Sequence, residues 1–119
     1  MIRKTEIDIA EIFSSPRVTE VAILIRLKAG LAMDLTVGWD FDKQEHRDAA
    51  ERYVRTVKPW LLIGSPECRM FSQLQAINKA RYEVKKEEEE KAKEYLRFMT
   101  RLYKIQHEEG RTFLHEHAA

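Results

Sequence analysis

The fold is decided by a continuously apolar stretch that ends in a sharp turn, Trp60-Leu61-Leu62-Ile63-Gly64-Ser65-Pro66. Strands that are apolar at every position are typical of the centre of a parallel sheet, because helices cover both of its faces. Gly64 and Pro66 then break the strand pattern. The stretch predicts a buried central strand whose following loop lies at the carboxyl edge of the sheet, where ligands of such folds bind.

Outward from this stretch, strand and helix signals alternate along the chain. Apolar segments predict strands at 7–13, 31–37 and 111–116, and apolar spacings of three and four residues predict helices between them, the last from Phe71 to about His107. This alternation predicts an α/β fold: a three-layer, Rossmann-like open sheet of about four mostly parallel strands with helices on both faces.

Short polar motifs predict where the first two helices begin and end. Ser15 and Pro16 are expected to cap and start the first helix, and Gly30 to follow its last turn. Asp42 and Glu45 have the spacing of a capping box for the second helix.

Composition excludes several classes of protein. The 119 residues carry 21 Lys and Arg against 20 Asp and Glu, a formal net charge of +1, and 44% of them are apolar. These values exclude a disordered chain and predict one domain over 1–119. The single cysteine, Cys68, excludes a disulfide-stabilised fold. Since no apolar run has the length of a signal peptide or a membrane span, we expect a soluble intracellular protein with no membrane partner.

A charged helical segment at about 78–94 is expected to project from the body of the domain. Its glutamates stand four residues before lysines, which is typical of a solvated helix, and an interaction tail is the alternative. Arg97, Arg101 and Lys104 follow at helical spacing, either as a basic stripe or as the polar face of an amphipathic helix.

Chemically distinctive residues gather at the predicted carboxyl ends of the strands. Cys68 lies in a loop that precedes a helix, a position that favours the reactive thiolate. The alternative is a small buried apolar residue, the usual environment of a free cysteine. His115 and His117 flank Glu116 and are conceivable metal ligands, but two histidines do not complete a coordination shell, and we predict no metal site.

Several of these segments resemble the DNA cytosine-5 methyltransferases. The run Ser65-Pro66-Glu67-Cys68-Arg69-Met70-Phe71-Ser72 resembles that family's Pro-Pro-Cys-Gln-x-Phe-Ser loop. Phe113-Leu114-His115-Glu116-His117 resembles its strand ending in Glu-Asn-Val, and Glu11-Ile12-Phe13-Ser14 resembles the Asp-Leu-Phe-Ser that opens its cofactor site. Asp34 falls where an acid after the second strand would hold the cofactor ribose. The segments occur in the family's order.

The resemblance implies a site and a reaction. Cys68 would attack cytosine C6 as a thiolate, and Glu116 would contact ring N3. The activated C5 would take a methyl group from S-adenosylmethionine, after the base has been flipped out of its helix. The implied cofactor-binding residues are Phe13, Ser14, Asp34, Trp39, Ser65 and Pro66, and the implied nucleic-acid contacts are Arg69 and Ser72. Trp39 is equally well explained as a packing residue.

The sequence departs from the family pattern at several positions. Glu67 replaces a proline beside the thiol, Arg69 replaces a glutamine, and Pro16 occupies the loop that glycines form in the family. The family also needs later strands and a separate target-recognition domain, and the sequence to Ala119 contains neither. These differences predict a partial or degenerate methyltransferase-like domain. The alternative is a non-catalytic Rossmann-like subunit that docks onto a larger assembly. Nucleic acid, and another chain or a second copy bound at an exposed sheet edge, are the expected partners.

Overall fold

The computed structural model describes residues 6–66 and 82–116, without the side chains of residues 82–85 and 88. The elements within these ranges are β1 (Ile9–Ile12), α1 (Val18–Leu24), β2 (Ala29–Met33), a 3₁₀ turn (Leu35–Val37), α2 (Gln44–Val57), β3 (Leu61–Gly64), α3 (Tyr82–Glu108) and β4 (Thr112–His115). The alternation of strands and helices predicted from the apolar spacing is confirmed for these residues. The strand predicted at 31–37 is wrong in its second half, since β2 ends at Met33 and residues 35–37 form the 3₁₀ turn.

The strands form one all-parallel sheet in the order β2-β1-β3-β4. The step from β1 to β2 goes one way across the sheet, and the steps from β2 to β3 and from β3 to β4 go the other way. Because crossovers between parallel strands are right-handed, α1 lies on one face of the sheet and α2 and α3 lie on the other. The fold is therefore the predicted three-layer, Rossmann-like open sheet, with β2 and β4 at its edges.

Alternate residues of β1 show the two faces directly. Ala10 and Ile12 pack in the core with side chains of α2 and α3. Glu11, between them, points to the opposite face and binds Thr19 of α1. The main core therefore lies between the sheet and the α2–α3 layer; its buried members are Ala10, Ile12, Met33, Phe41, Ala50, Val54, Leu62, Phe98, Leu102 and Ile105.

Glu11 is a charged residue with no exposed surface, and its hydrogen bonds explain why it is tolerated. Its Oε2 accepts from the backbone N–H of Thr19 at 3.0 Å and from the Thr19 hydroxyl at 2.9 Å, and its Oε1 accepts from Ser14 at 3.0 Å. A buried acceptor left without donors would cost about 1–3 kcal/mol. The carboxylate thus ties the end of β1 to the first turn of α1.

A second buried polar network closes the amino ends of β3 and β4. The Gln106 amide donates to the carbonyls of Pro59 at 3.0 Å and Thr112 at 2.8 Å. Arg111, buried at 7% exposure, donates from Nε to Gln106 Oε1 and from Nη2 to the Val54 carbonyl at the end of α2. Nη2 also pairs with Glu109 at 3.0 Å. The network joins α2, α3, β3 and β4 at one point.

The predicted helix boundaries are wrong in three places. Arg17, not Ser15, is the cap residue of α1, and Pro16 lies before the helix. Gly30 does not follow α1 but lies within β2, where the Tyr53 hydroxyl packs against its Cα. Asp42 does not cap α2, whose cap residue is Lys43; the Asp42 carboxylate instead binds α3. For Gly30 and Asp42, a tertiary contact takes precedence over the local motif.

Gly64, the last residue of β3, is required by a close approach from α3. A Cβ at this position would collide with the hydroxyl of Tyr103. That hydroxyl lies 2.8 Å from Nδ1 of His115, the residue opposite Gly64 on β4. The glycine therefore lets α3 pack tightly over the carboxyl ends of β3 and β4.

The close approach makes Gly64→Ala a packing test. We expect it to lower the free energy of unfolding by about 1–3 kcal/mol, the usual cost of overpacking, as measured by the midpoint of urea unfolding. In the Tyr103→Phe background, which lacks the hydroxyl, the same substitution should cost less. Additive losses in the two variants would contradict the proposed contact.

Candidate functional site

The carboxyl ends of the four strands lie in line along one rim of the sheet. Ile12 is opposite both Met33 and Gly64, and Gly64 is opposite His115. Hydrogen bonds continue one residue further, because Glu116 N–H donates to the Gly64 carbonyl at 2.8 Å. With strands about 4.8 Å apart, the rim from Asp34 to Glu116 spans about 14 Å.

The topological switch point of this sheet lies between β1 and β3. The chain leaves β1 toward α1 on one face, and it reaches α3 on the other face after β3. A crevice opens where neighbouring strands connect to opposite faces, and ligands of open α/β sheets bind there. Ser14 follows β1 and Ser65 follows β3, and the Ser65 N–H donates to the Ile12 carbonyl at 3.1 Å.

Ser14 is already engaged by its neighbours. It is buried at 4% exposure, its hydroxyl lies 3.0 Å from Glu11 Oε1, and it accepts from Arg17 at 3.4 Å. Its side chain therefore holds the turn after β1, so a ligand here would meet its backbone rather than its hydroxyl.

Ser65 differs from Ser14 because its hydroxyl is buried without a hydrogen-bond partner in the described part of the chain. An unpaired buried hydroxyl costs free energy, and native proteins leave few such groups. Pro66, the next residue, is fully buried and cannot donate from its nitrogen. The orphaned hydroxyl is thus a polar group held at the switch point with capacity for a ligand.

Phe13 adopts a left-handed backbone conformation, with φ of 57°. This conformation costs a non-glycine residue about 1–3 kcal/mol and persists only where other contacts offset it. Here the offset is aromatic packing, since the Phe13 ring lies 5.0 Å from Phe41 and 5.3 Å from Tyr95, between ring centroids. In this conformation the Phe13 ring packs toward α3, and the backbone changes direction at the end of β1.

Asp34 directly follows β2 in extended conformation. Its Oδ2 accepts from the Thr36 N–H at 3.2 Å and from the Thr36 hydroxyl at 2.7 Å, so it caps the 3₁₀ turn. The carboxylate is partly exposed at the rim, two strands away from Ser65. It is placed where an acidic side chain accepts hydrogen bonds from ribose hydroxyls in dinucleotide-binding sheets.

Trp39 is half-buried and packs against side chains that are close to it in sequence. Its ring centroid lies 5.9 Å from Phe41 and 6.3 Å from His46. His46 is fixed in turn by accepting the Asp40 N–H at Nδ1. These contacts favour the packing interpretation of Trp39, and stacking on a ligand ring stays a prediction.

Glu116 is exposed beside the start of the loop that follows β3, through its backbone bond to Gly64. The preceding His115 lies beneath the Tyr103 hydroxyl. Burial raises the pKa of Tyr103, so the phenol keeps its proton. Its hydroxyl lies within hydrogen-bonding distance of His115 Nδ1, and the tautomer of the imidazole decides which group donates. Sequence reasoning missed this pair because only the fold brings residues 103 and 115 together.

The remaining predicted site residues, Cys68, Arg69 and Ser72, lie outside the described residues. So does His117. Ser65 and Pro66, the last described residues before this segment, follow β3 at the same rim that carries Glu116.

Asp42 joins the rim to α3 through two contacts that the sequence did not indicate. Its Oδ1 accepts from the Tyr95 hydroxyl, and its Oδ2 pairs with Lys91 at 2.8 Å. Partial burial alone would raise the pKa of Asp42, but hydrogen bonds from Lys91 and Tyr95 outweigh it and lower the pKa below its ordinary value. Burial, and then the bond to Asp42, raise the pKa of Tyr95. These contacts fasten the charged half of α3 over the aromatic side chains at the rim.

The three cations predicted as a basic stripe are paired with acids. Arg97 contacts Glu94 at 3.3 Å, Arg101 contacts Glu51, and Lys104 lies 3.9 Å from Glu108. A groove of about 230 Å³ between α2 and α3 is lined by both Arg97 and Arg101 but also by three acids. This balance of charge supports the interpretation as an ordinary polar helix face.

Comparison with known proteins adds no relative: no family model, curated protein or solved structure matches the chain. Among the described residues, no cluster of three or more His, Cys, Asp or Glu side chains could hold a metal ion. The same residues contain no helix with the length and apolar character that a membrane span requires.

The Asp42 contacts predict a measurable titration. Since its folded-state pKa is below the ordinary 3.8, its stabilising contribution is present above that pH and is lost as pH falls through the lower value. We expect Tyr95→Phe to raise the Asp42 pKa toward 3.8, as measured by NMR titration of its carboxyl carbon. Tyr53→Phe, which alters a tyrosine bonded to Leu31, is the control and should leave Asp42 unchanged. An unaltered Asp42 titration in Tyr95→Phe would contradict the assignment.

Proposed function

We propose that this chain is a partial or degenerate cytosine-5 methyltransferase-like domain that binds S-adenosylmethionine at the carboxyl rim of its sheet. The observation that carries the proposal is the rim itself. Residues of four separated segments that resemble the family motifs end adjacent parallel strands or follow them directly, in the order Asp34, Phe13-Ser14, Ser65 and Glu116 across the sheet. Because the sheet is all parallel, segments that follow its strands share this edge, and the four segments are close enough to contribute to one site.

The residues at the rim fit an adenosyl ligand in two respects. Asp34 offers a partly exposed carboxylate to ribose hydroxyls at the end of β2. The orphaned Ser65 hydroxyl offers a hydrogen bond at the switch point. The first turn of α1 is not a ligand site, because Glu11 already accepts the Thr19 N–H there.

The chain's own residues would divide the chemistry as the resemblance implies. The Cys68 thiolate would form a bond to C6 of a cytosine, and Glu116 would hydrogen-bond ring N3 as charge develops on the base. S-Adenosylmethionine supplies an electrophilic methyl group for C5. Loss of the C5 proton to solvent and breakage of the Cys68–C6 bond would then release 5-methylcytosine and the Cys68 thiolate, with S-adenosylhomocysteine as the second product. Glu67 beside the thiol disfavours the thiolate, which is why we propose a weak or degenerate activity.

Calorimetric titration with S-adenosylmethionine tests the binding step. We expect measurable binding that Asp34→Asn weakens about tenfold, a loss of about 1.4 kcal/mol, because the amide keeps the turn's acceptor but removes the charge. Asp48→Asn on α2, away from the rim, is the matched control and should bind like the parent chain. Absence of any heat at millimolar ligand would reject the proposed function.

Covalent trapping tests the chemistry separately. With cofactor present, a duplex containing 5-fluorocytosine blocks loss of the C5 substituent, so an active chain should form a stable protein–DNA adduct visible by denaturing electrophoresis. We expect Cys68→Ser to abolish this adduct. Cofactor binding without an adduct would leave a ligand-binding domain that has lost catalysis, and an adduct in Cys68→Ser would exclude that thiol as the nucleophile.

A non-catalytic docking subunit is the second candidate function, and one observation favours it. Among the described residues, nine large apolar side chains are exposed, and seven of them lie within residues 21–37. Exposed apolar side chains of this kind are typical of interaction surfaces. Failure of cofactor binding in the titration above, with the fold intact by circular dichroism, would favour this candidate.

A further inference from the structure

Edge strand β4 is four residues long, and in the described structure its backbone hydrogen bonds run to β3. The Gln106–Arg111 network fixes its start, at the opposite end from the rim. Strand ends that lack such contacts fray, and the residue that follows the strand moves with them. Glu116 follows β4, so the position of this residue depends on what holds the carboxyl end of the strand.

The side chain of Glu116 does not hold the strand end. It is exposed, and its carboxylate has no hydrogen bond or ion pair within residues 6–66 and 82–116. The backbone N–H of Glu116 donates to the Gly64 carbonyl at 2.8 Å. A backbone bond at the end of an edge strand is therefore the direct contact that places this carboxylate beside the loop after β3.

Tyr103 of α3 supports this backbone bond from above the sheet. Its hydroxyl lies 2.8 Å from His115 Nδ1 and packs against the Cα of Gly64. Its ring stacks on Phe113, with ring centroids 4.5 Å apart and an interplanar angle of 8°, and meets the His115 ring edge-on at 5.6 Å. One side chain of α3 thus contacts both of the strand ends that the Glu116 N–H bond joins.

The polar character of this contact matters for its geometry. Tyr103 and His115 are both partly buried, so each loses water that their mutual hydrogen bond replaces. A hydrogen bond has a preferred distance and direction, whereas apolar contact is non-directional and lets the two groups slide. The pair therefore fixes the orientation of the last residue of β4 more sharply than packing alone.

We propose that Tyr103 and His115 are positioning residues, whose hydrogen bond holds the end of β4 so that the Glu116 carboxylate is placed to bind cytosine N3. The inference rests on the proposed function, because the role of Glu116 comes from there. Tyr103 and His115 act through the backbone of Glu116 and are assigned no contact with the base or with the cofactor.

The rate of adduct formation with the 5-fluorocytosine duplex, at saturating S-adenosylmethionine, tests the pair. We expect Tyr103→Phe to lower the rate constant about tenfold or more, because a small displacement of a catalytic group has effects of this size. Cofactor affinity by calorimetry should stay within about twofold of the parent value, since Asp34 and Ser65 are unchanged. Tyr53→Phe is the matched control, because the Tyr53 hydroxyl holds the other edge strand through the Leu31 N–H. This control should form the adduct at the parent rate.

Substitutions of His115 separate positioning from general stability. His115→Asn keeps a side-chain amide that can accept from or donate to the Tyr103 hydroxyl, so it should retain most of the rate. His115→Leu has no such group and should match Tyr103→Phe. Val54→Ala, a truncation in the core on α2, should lower the midpoint of urea unfolding and leave the rate unchanged.

The outcomes distinguish this inference from the proposed function. If the parent chain forms no adduct, the proposed function fails and the inference fails with it. If the parent chain forms the adduct, and Tyr103→Phe and His115→Leu form it equally fast, the inference alone is overturned. A loss of rate in Val54→Ala as large as that in Tyr103→Phe would also overturn it, because lower stability would then explain both.

Discussion

The buried pairing of Gln106 with Arg111 is the constraint on which the arrangement of the rim depends. Side-chain bonds from these two residues reach the Pro59, Thr112 and Val54 carbonyls, so they set the starts of β3 and β4 and the end of α2 together. Because both strands start from one fixed point and run parallel for four residues, their ends are fixed as well. The alignment of Gly64 with His115, and hence of Glu116 with the loop after β3, follows from contacts at the opposite end of the sheet.

The two ends of the sheet differ in how well their polar groups are satisfied. At the amino end, the amide of Gln106 and the guanidinium of Arg111 are both bonded and buried. At the carboxyl end, Ser65 keeps a buried hydroxyl without a hydrogen-bond partner in the described part of the chain. Left-handed non-glycine residues do not distinguish the two ends, since Phe13 follows β1 whereas Arg26 and Lys58 precede β2 and β3. The unpaired hydroxyl is therefore the feature that favours the proposed ligand site at the carboxyl rim.

The fold class could be predicted from the sequence because the spacing of the apolar residues shows which segments are strands, which are helices and which of them are buried. The unbroken apolar run at 60–63 indicated a central strand, and β3 is indeed flanked by β1 and β4. Helix caps were predicted poorly, since the Asp42 carboxylate bonds to Lys91 and Tyr95 on a helix some fifty residues away, which no local motif reveals. Val21 and Ile25 fit a core stripe by spacing alone, yet both are exposed, because the sheet covers only one narrow side of α1. The rim residues were predicted from topology; the Tyr103–His115 pair was not, since it depends on how α3 crosses the sheet.

The buried Arg111 has a consequence for how the chain reaches its native state. Its partners Val54 and Gln106 lie in the middle of the sequence and near its end, so the first half of the chain emerges from the ribosome long before this closure can form. Until β4 pairs, β3 has one bare edge and the Val54 carbonyl of α2 lacks its bond from Arg111. A sheet without β4 exposes an unpaired apolar strand, and such species are prone to aggregate. Synthesis of the segment that contains Arg111 and β4 therefore protects the edge of β3 and completes the end of α2 together.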